Sequence, residues 1–260
     1  MISIHDFLKG YRRKSLRVAK HYDRYDLDIR ALLSLLQESD QVAMRRITCI
    51  PYTYLCLFQS QTGKIVTRQS VDGTCPQTPK GHTVLCAVRA GLIVMDCAEN
   101  PVLYKPHDLL FQINACRKAK KRFIVCNLGL YWTPRAARGH ANALMIDLKY
   151  DIIERYDPFA SREDRMAIVD ENLERLFRKH LSPFKYVGTR LLAPSVAIQR
   201  VADSHDGMCV TFSFAYVLMR LLNPNSSPGE IQELMLYRSP AHTRTLIQRL
   251  NAFMIEHAIQ

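Results

Sequence analysis

Residues 139–158 read Gly139-His140-Ala141-Asn142-Ala143-Leu144-Met145-Ile146-Asp147-Leu148-Lys149-Tyr150-Asp151-Ile152-Ile153-Glu154-Arg155-Tyr156-Asp157-Pro158. Two apolar, strand-like runs, His140 to Asp147 and Ile152 to Tyr156, flank a short polar stretch, so the segment predicts a β-hairpin. A tight turn near Leu148-Lys149 pairs Asp147 with Tyr150, Leu144 with Ile153 and His140 with Asp157. Directly opposed side chains stand ~5 Å apart at Cβ. A carboxylate in that position accepts one imidazole N–H, fixes the tautomer and stabilises the imidazolium, which is the orienting role in a catalytic triad. The same pair could also do no more than tie two strands together.

Working outward, Phe123-Ile124-Val125-Cys126 reads as a buried strand, and Tyr131 to Gly139 as a loop carrying Pro134, Arg135 and Arg138. Downstream, Arg162 to His180 reads as a helix, and Tyr186 to Ile198 as strand and loop. Asp203 to Met208 is a polar loop, and Cys209 to Leu222 an apolar helix stopped by Asn223-Pro224. Two more helices are predicted around 228–237 and 240–257. Upstream, Leu27 to Leu36 carries an amphipathic helical pattern, and Ile47 to Phe58 reads as one strand. Residues 59–82 are turn-rich, Thr83–Val88 and Leu92–Cys97 read as short strands, and 105–121 as a helix. This order predicts an α+β fold with a central mixed β-sheet flanked by helices. It divides into a basic helical and β extension, 1–120, and a core, 121–260, although the two can also form one continuous domain.

The chain has 260 residues, 48% of them hydrophobic, which suffices for a sizeable core. With 23% charged residues, 10 Gly and 12 Pro, it is neither disordered nor collagen-like. No apolar run approaches the ~20 residues of a membrane-spanning helix. The start, Met1-Ile2-Ser3-Ile4-His5-Asp6, does not read as a secretory signal, so an intracellular setting, cytoplasm or nucleus, is expected. The formal net charge of +12 speaks to partners rather than fold. Arg117, Lys118, Lys120, Lys121 and Arg122, with Arg12, Arg13 and Lys14, are candidates for contact with DNA or RNA. They read equally as solvated faces. Eight cysteines occur with no CxxC spacing, so no zinc site is expected, and with no P-loop, GxGxxG or HExxH pattern no cofactor is expected. Most should be reduced thiols.

Cys209 differs from the cysteines in apolar strands. It follows Asp203-Ser204-His205-Asp206-Gly207-Met208 and opens the helix Val210-Thr211-Phe212-Ser213-Phe214. A sulfur in the first turn of a helix feels the positive end of the macrodipole, which favours thiolate. A neighbouring imidazole completes its activation. Gly207 lets the backbone turn tightly so that N–H groups can form an oxyanion hole.

His140, Asp157 and Cys209 occur in that order, with the Cys on a helix far downstream. In that spacing the chain resembles the adenain/SUMO-protease group of papain-like cysteine proteases. The resemblance is carried by Phe123 to Asn127, by Gly139 to Asp147, by Glu154-Arg155-Tyr156-Asp157-Pro158 and by Asp206-Gly207-Met208-Cys209. It covers about residues 120–235, and Leu221 to Ser226 looks like variants from large DNA viruses, which would place the protein in a host cell or virion. It implies His140 as general base, Asp157 as its orienter, Cys209 as nucleophile, and a Gln before the Cys as oxyanion donor. The usual pattern has that Gln six residues before the Cys and an Asp directly before it; here Asp203 and Met208 stand there. Gln199, ten residues upstream, is the nearest Gln; Asn142 and Asp206 are further supporting candidates. Ala141 stands where the family usually has a Trp after the His.

The expected function is hydrolysis of a polyprotein or of a ubiquitin-like C-terminus at small-residue, Gly-rich sites. The alternative is a basic nucleic-acid-binding or structural viral protein whose protease-like fold is idle. His82 and Cys86 are a lesser candidate pair, since on a strand i and i+4 lie far apart; Asp147 is a lesser acid, at the turn end of the hairpin.

Overall fold

The computed structural model describes residues 1–9, 46–49, 54–70, 76–89, 92–97, 102–105, 109–132, 139–159, 164–192, 197–202, 208–235 and 239–258. Leu27–Leu36, Arg12, Arg13 and Lys14 lie outside them, as do Asp203 to Gly207.

The architecture is mixed α+β. Its main sheet has seven strands: β1 (Thr48–Cys49), β5 (Leu92–Asp96), β6 (Val102–Tyr104), β7 (Phe123–Tyr131), β8 (His140–Asp147), β9 (Ile152–Tyr156) and β10 (Lys185–Val187). The order is β10-β9-β8-β7-β5-β6, with β1 beside the start of β7. β7-β8-β9 is an antiparallel meander, whereas β10 and β5 join it in parallel. Strands from both sides of residue 120 therefore share one sheet. A separate antiparallel sheet, β3-β2-β4, is built from β2 (Tyr54–Ser60), β3 (Ile65–Ser70) and β4 (His82–Arg89). The predicted single strand Ile47–Phe58 is thus two strands in two sheets.

Eight helical segments are described: α1 (Ile4–Phe7), α2 (Leu109–Lys118), α3 (Asp164–His180), α4 (Thr189–Leu192), α5 (Ile198–Ala202), α6 (Cys209–Leu222), α7 (Pro228–Met235) and α8 (Pro240–Ala258). Side chains alternate across a strand. Phe123, Val125, Ala143, Met145 and Tyr156 accordingly face α1, α6, α7 and α8. Their neighbours Ile124, Cys126, Leu144, Ile146 and Ile153 face α2 and α3. With both faces covered, β8 is buried at every residue and reads as a continuous apolar run. α6 is likewise buried from Cys209 to Leu221, as a helix with no polar face must be.

The chain start belongs to this core. Ser3 and Asp6 form a reciprocal capping box on α1. The Asn223 side chain, just past α6, accepts a hydrogen bond from Ile2 N–H and donates one to the Ile2 carbonyl, at 2.7 and 2.8 Å. Ile4 and Leu8 are fully buried.

Two expectations need correction. The hairpin is joined through Leu148–Asp151, so Leu144 pairs with Arg155 and Asp147 with Ile152. The register differs from the predicted one by two residues because the turn is longer, and a shift of two keeps every side chain on its expected face. Nor, among the described residues, are the cysteines mostly reduced. Cys49 on β1 and Cys116 on α2 form a disulfide, and Cys56 is also disulfide-bonded. β1 pairs with β7, and Cys49 packs on the face that α2 covers, where the Cys49 and Cys116 Cα atoms are 5.9 Å apart. Cys97, Cys126 and Cys209 are free thiols. Among the described residues no helix is long and apolar enough to cross a membrane.

This packing predicts a contrast between two leucines. Leu218→Ala on buried α6 should destabilise the protein by about 2–5 kcal/mol. Leu191→Ala, at a side chain 76% exposed on α4, should stay within about 0.5 kcal/mol of wild type. Urea midpoints at unchanged m-value measure both.

Candidate active site

The start of β8, the end of β9 and the first turn of α6 converge on one point. β9 makes its last pair with β8 at Tyr156–Ala143, so β8 runs on towards His140 without it. The polar backbone of Ala141 is taken by α6 instead. Its N–H donates to Cys209 Sγ at 3.4 Å, and its carbonyl accepts from Ser213 Oγ at 3.0 Å. Residues 209 and 213 lie one turn apart on the same helix face, so two side chains of α6 hold one residue of β8.

This clasp sets the sulfur beside the imidazole. His140 Nε2 lies 2.8 Å from Asp157 Oδ1, and the Cys209 side chain hydrogen-bonds the same ring. With Nε2 committed to the carboxylate, Nδ1 is the nitrogen left for the sulfur. All three residues are buried. Cys209 is the first residue of α6, and Met208 at the N-cap supplies no side-chain hydrogen bond. The sulfur therefore sits at the positive end of the helix with no acidic residue in the first turn.

Asp157 follows the last residue of β9 and lies diagonally across from His140 rather than directly opposite. A diagonal pair is within reach of longer side chains. The carboxylate is fully engaged. Oδ1 also accepts the Phe159 N–H at 2.8 Å, and Oδ2 accepts from Arg155 at 2.8 Å. Burial alone would raise its pKa, but the His140 charge and hydrogen bond, Arg155 and the Phe159 N–H hold it below the usual carboxylate range. For His140, burial opposes the charged ring. Asp157, through charge and hydrogen bond, outweighs it with help from Cys209 and moves the imidazole up to about 9.

The ring is also held from its faces. Trp132, just past β7, stacks on it at 5.9 Å between centroids, and Phe159 packs at 4.7 Å. The packing partner that Ala141 cannot supply thus comes from the neighbouring strand. Leu130 pairs with His140 across the sheet, which brings Trp132 near the ring; the sequence signal was only that Trp132 is the one tryptophan in the chain.

The remaining predicted residues fall differently. Gln199, in α5, is buried, and its backbone N–H donates to the Pro158 carbonyl at 3.2 Å, which holds it against the segment that carries Asp157. Its Oε1 has no partner among the described residues. Asn142 is turned away from the sulfur: its Oδ1 accepts from Arg155 Nε at 2.7 Å. Asp206 and Gly207 lie outside the described residues. In the basic cluster, Arg117 pairs with Asp151 at 2.6 Å and Arg122 makes a two-pronged pair with Asp147, which accounts for the lesser acid candidate too. Lys118 and Lys120 are exposed, and Lys121 is half-buried. His82 lies on β4, where its Nδ1 faces the Lys80 carbonyl at 3.1 Å. Among the described residues, no group of three or more His, Cys, Asp or Glu is placed to hold a metal ion.

Arg155 stands within the stretch 154–158 that carries the resemblance, but no role was expected of it. It has no exposed surface, and its guanidinium contacts Asn142, Asp157 and Asp170.

An imidazole held between a carboxylate and a thiol is placed to accept the thiol proton. That is the arrangement of an activated sulfur nucleophile. No protein-family model matches the chain, and no curated protein matches it.

The pair predicts a pH dependence of stability. The folded His140 pKa is raised above its unfolded value of ~6.5, so its contribution is fully present below that value and lost as pH rises through about 9. The folded Asp157 pKa is depressed, so its contribution is present above the ordinary Asp value and lost as pH falls through the acid range. The difference in melting temperature between wild type and His140→Gln should be widest from about pH 5 to 6.5 and shrink towards both extremes. A difference that is flat from pH 5 to 10 would contradict this.

Proposed function

We propose that the chain is a cysteine endopeptidase with a papain-like core of the adenain/SUMO-protease type, using Cys209, His140 and Asp157. The observation that carries this reading is the convergence of three side chains from separate elements. The imidazole touches the sulfur on one side and a buried carboxylate on the other. A pair that merely ties two strands together has no need of a thiol at a helix start.

In this reading His140 takes the Cys209 proton, and the Cys209 thiolate attacks a peptide carbonyl carbon. The C–N bond breaks as the imidazolium returns its proton to the leaving amine, giving a thioester. Water, deprotonated by the neutral imidazole, then hydrolyses the thioester and frees the sulfur. Asp157 keeps the ring oriented and its charged form favourable throughout. Gln199 is the candidate side-chain donor to the oxyanion, together with backbone N–H groups at the start of α6. The substrate class is a polyprotein or a ubiquitin-like C-terminus with small residues at the cleavage site. Nucleic acid is the less favoured partner, because two of the cluster's cations, Arg117 and Arg122, are already paired with Asp151 and Asp147.

The test uses electrophilic probes with Gly-Gly C-termini, one a short peptide and one a ubiquitin-like protein. Labelling at Cys209 should be lost in Cys209→Ala. At pH 7 it should slow by about 10²-fold or more in His140→Ala, the range of general acid–base contributions. Labelling that is indifferent to His140, or no faster than that of free cysteine, would refute the reading. The faster of the two probes identifies the substrate class.

A further inference from the structure

We infer that Arg155, anchored by Asp170, is a positioning residue that acts on the Cys209–His140 pair through Asp157; the inference rests on the protease reading above. Arg155 Nη2 donates to Asp157 Oδ2 at 2.8 Å, Nη1 to Asp170 Oδ1 at 2.7 Å, and Nε to Asn142 Oδ1 at 2.7 Å. The three prongs reach α3, the end of β9 and β8. A planar guanidinium fixes the angle between such partners, which an ammonium cannot.

Asp170 is itself locked. Its Oδ1 accepts from Tyr186 OH at 2.6 Å, and its Oδ2 from the Thr189 backbone N–H at 3.0 Å and hydroxyl at 2.7 Å. The corner between β10 and α4 closes tightly on this carboxylate. A Cβ added to Gly188 would lie 2.6 Å from its Cγ. A chain of contacts thus runs from Gly188 through Asp170 and Arg155 to the acid that orients His140.

Asp157 has two oxygens and three donors: His140, the Phe159 N–H and Arg155. Arg155 occupies Oδ2, so the His140 bond falls to Oδ1, and its charge favours the carboxylate over the carboxylic acid. The charged and titratable groups around this chain are His140 from β8, Arg155 and Tyr156 from β9, Asp170 from α3, Tyr186 from β10 and Cys97 after β5. Arg155 and His140 are the cations among them, and both face Asp157. Without Arg155, Asp157 would take a proton at higher pH, and His140 would lose its counter-charge there. The acid limb of Cys209 reactivity would therefore move up.

The experiment measures the rate of iodoacetamide alkylation at Cys209 from pH 4 to 9, by peptide mass spectrometry on the full chain. The variants are His140→Ala, Arg155→Met, Arg155→Lys and Gly188→Ala, each with a melting temperature. Arg155→Met should raise the midpoint of the acid limb by one pH unit or more, which is a tenfold or greater loss of rate on that limb. Arg155→Lys should recover part of the shift. Gly188→Ala, which touches no residue of the triad, should move the midpoint in the same direction by less. If Arg155→Met does not fold, the shifts in Arg155→Lys and Gly188→Ala decide. An acid limb that stays in place in folded variants, while His140→Ala still abolishes the fast reaction, overturns the positioning role and leaves the protease reading standing. A wild-type Cys209 that ignores His140→Ala overturns both.

Discussion

Two opposite charges stand side by side in a strand that water does not reach. Glu154 and Arg155 are both fully buried in β9. An unpaired charge there would be prohibitively costly, so each must find a counter-charge within hydrogen-bond reach. Because successive side chains of a strand point to opposite faces, the two demands fall on two different helix layers. Glu154 turns towards α6, where Arg220 and Tyr216 reach it at 2.8 and 3.0 Å. Arg155 turns towards α3, where Asp170 meets it. This dipeptide stitches the three layers together. Apolar packing alone tolerates sliding and rotation, whereas these pairs do not.

The site inherits its geometry from those stitches. Tyr216 and Arg220 are one turn apart, and Cys209 and Ser213 lie on the same helix one to two turns earlier. Fixing the rotation of α6 at Glu154 therefore also aims Cys209 and Ser213 at Ala141. On the other face, Arg155 holds Asp157, two residues on along the same strand direction. The sulfur and the carboxylate are thus set by adjacent residues of β9, through different helices, and meet at His140. The end of the helix layer is sealed in the same manner. Arg220 also reaches the Ser226 carbonyl at 2.7 Å, and Arg122 joins Asp147 to Asn225.

What was legible in the sequence follows from which forces leave a local pattern. Burial on both faces leaves apolar runs, and β7, β8, β9 and α6 were readable for that reason. Asn223-Pro224 stops a helix by backbone chemistry, and it marks the end of α6. His140, Asp157 and Cys209, which the structure brings together, were singled out because their types stand out against apolar surroundings. Turn length leaves a weaker mark, since Leu148 to Asp151 is compatible with a two- or a four-residue connection. The disulfide between Cys49 and Cys116 bridges 67 residues and leaves no mark beyond the presence of the two cysteines. The split of 47–58 into two sheets is likewise a decision of tertiary packing, since both strands have the same composition.

Arg155 shows the limit most clearly. In sequence, Glu154-Arg155 between isoleucines and a tyrosine looks like the polar edge of a strand, because charged residues are seldom fully buried. Its partners Asn142 and Asp170 are 13 and 15 residues away on different elements, and no spacing rule joins them. The hairpin misreading was harmless for a related reason. A shift of two residues preserves the face of every side chain, so His140 and Asp157 still meet, now as a diagonal pair. A shift of one would have turned Arg155 and Asp157 together to the α6 face, towards Arg220, and Glu154 to the α3 face, towards Asp170, which leaves His140 without an acid and Arg155 without Asp170. The alternation of charges along 154, 155 and 157 therefore permits the observed register and opposes its nearest competitors, and the same charges that stitch the layers also keep the hairpin in step.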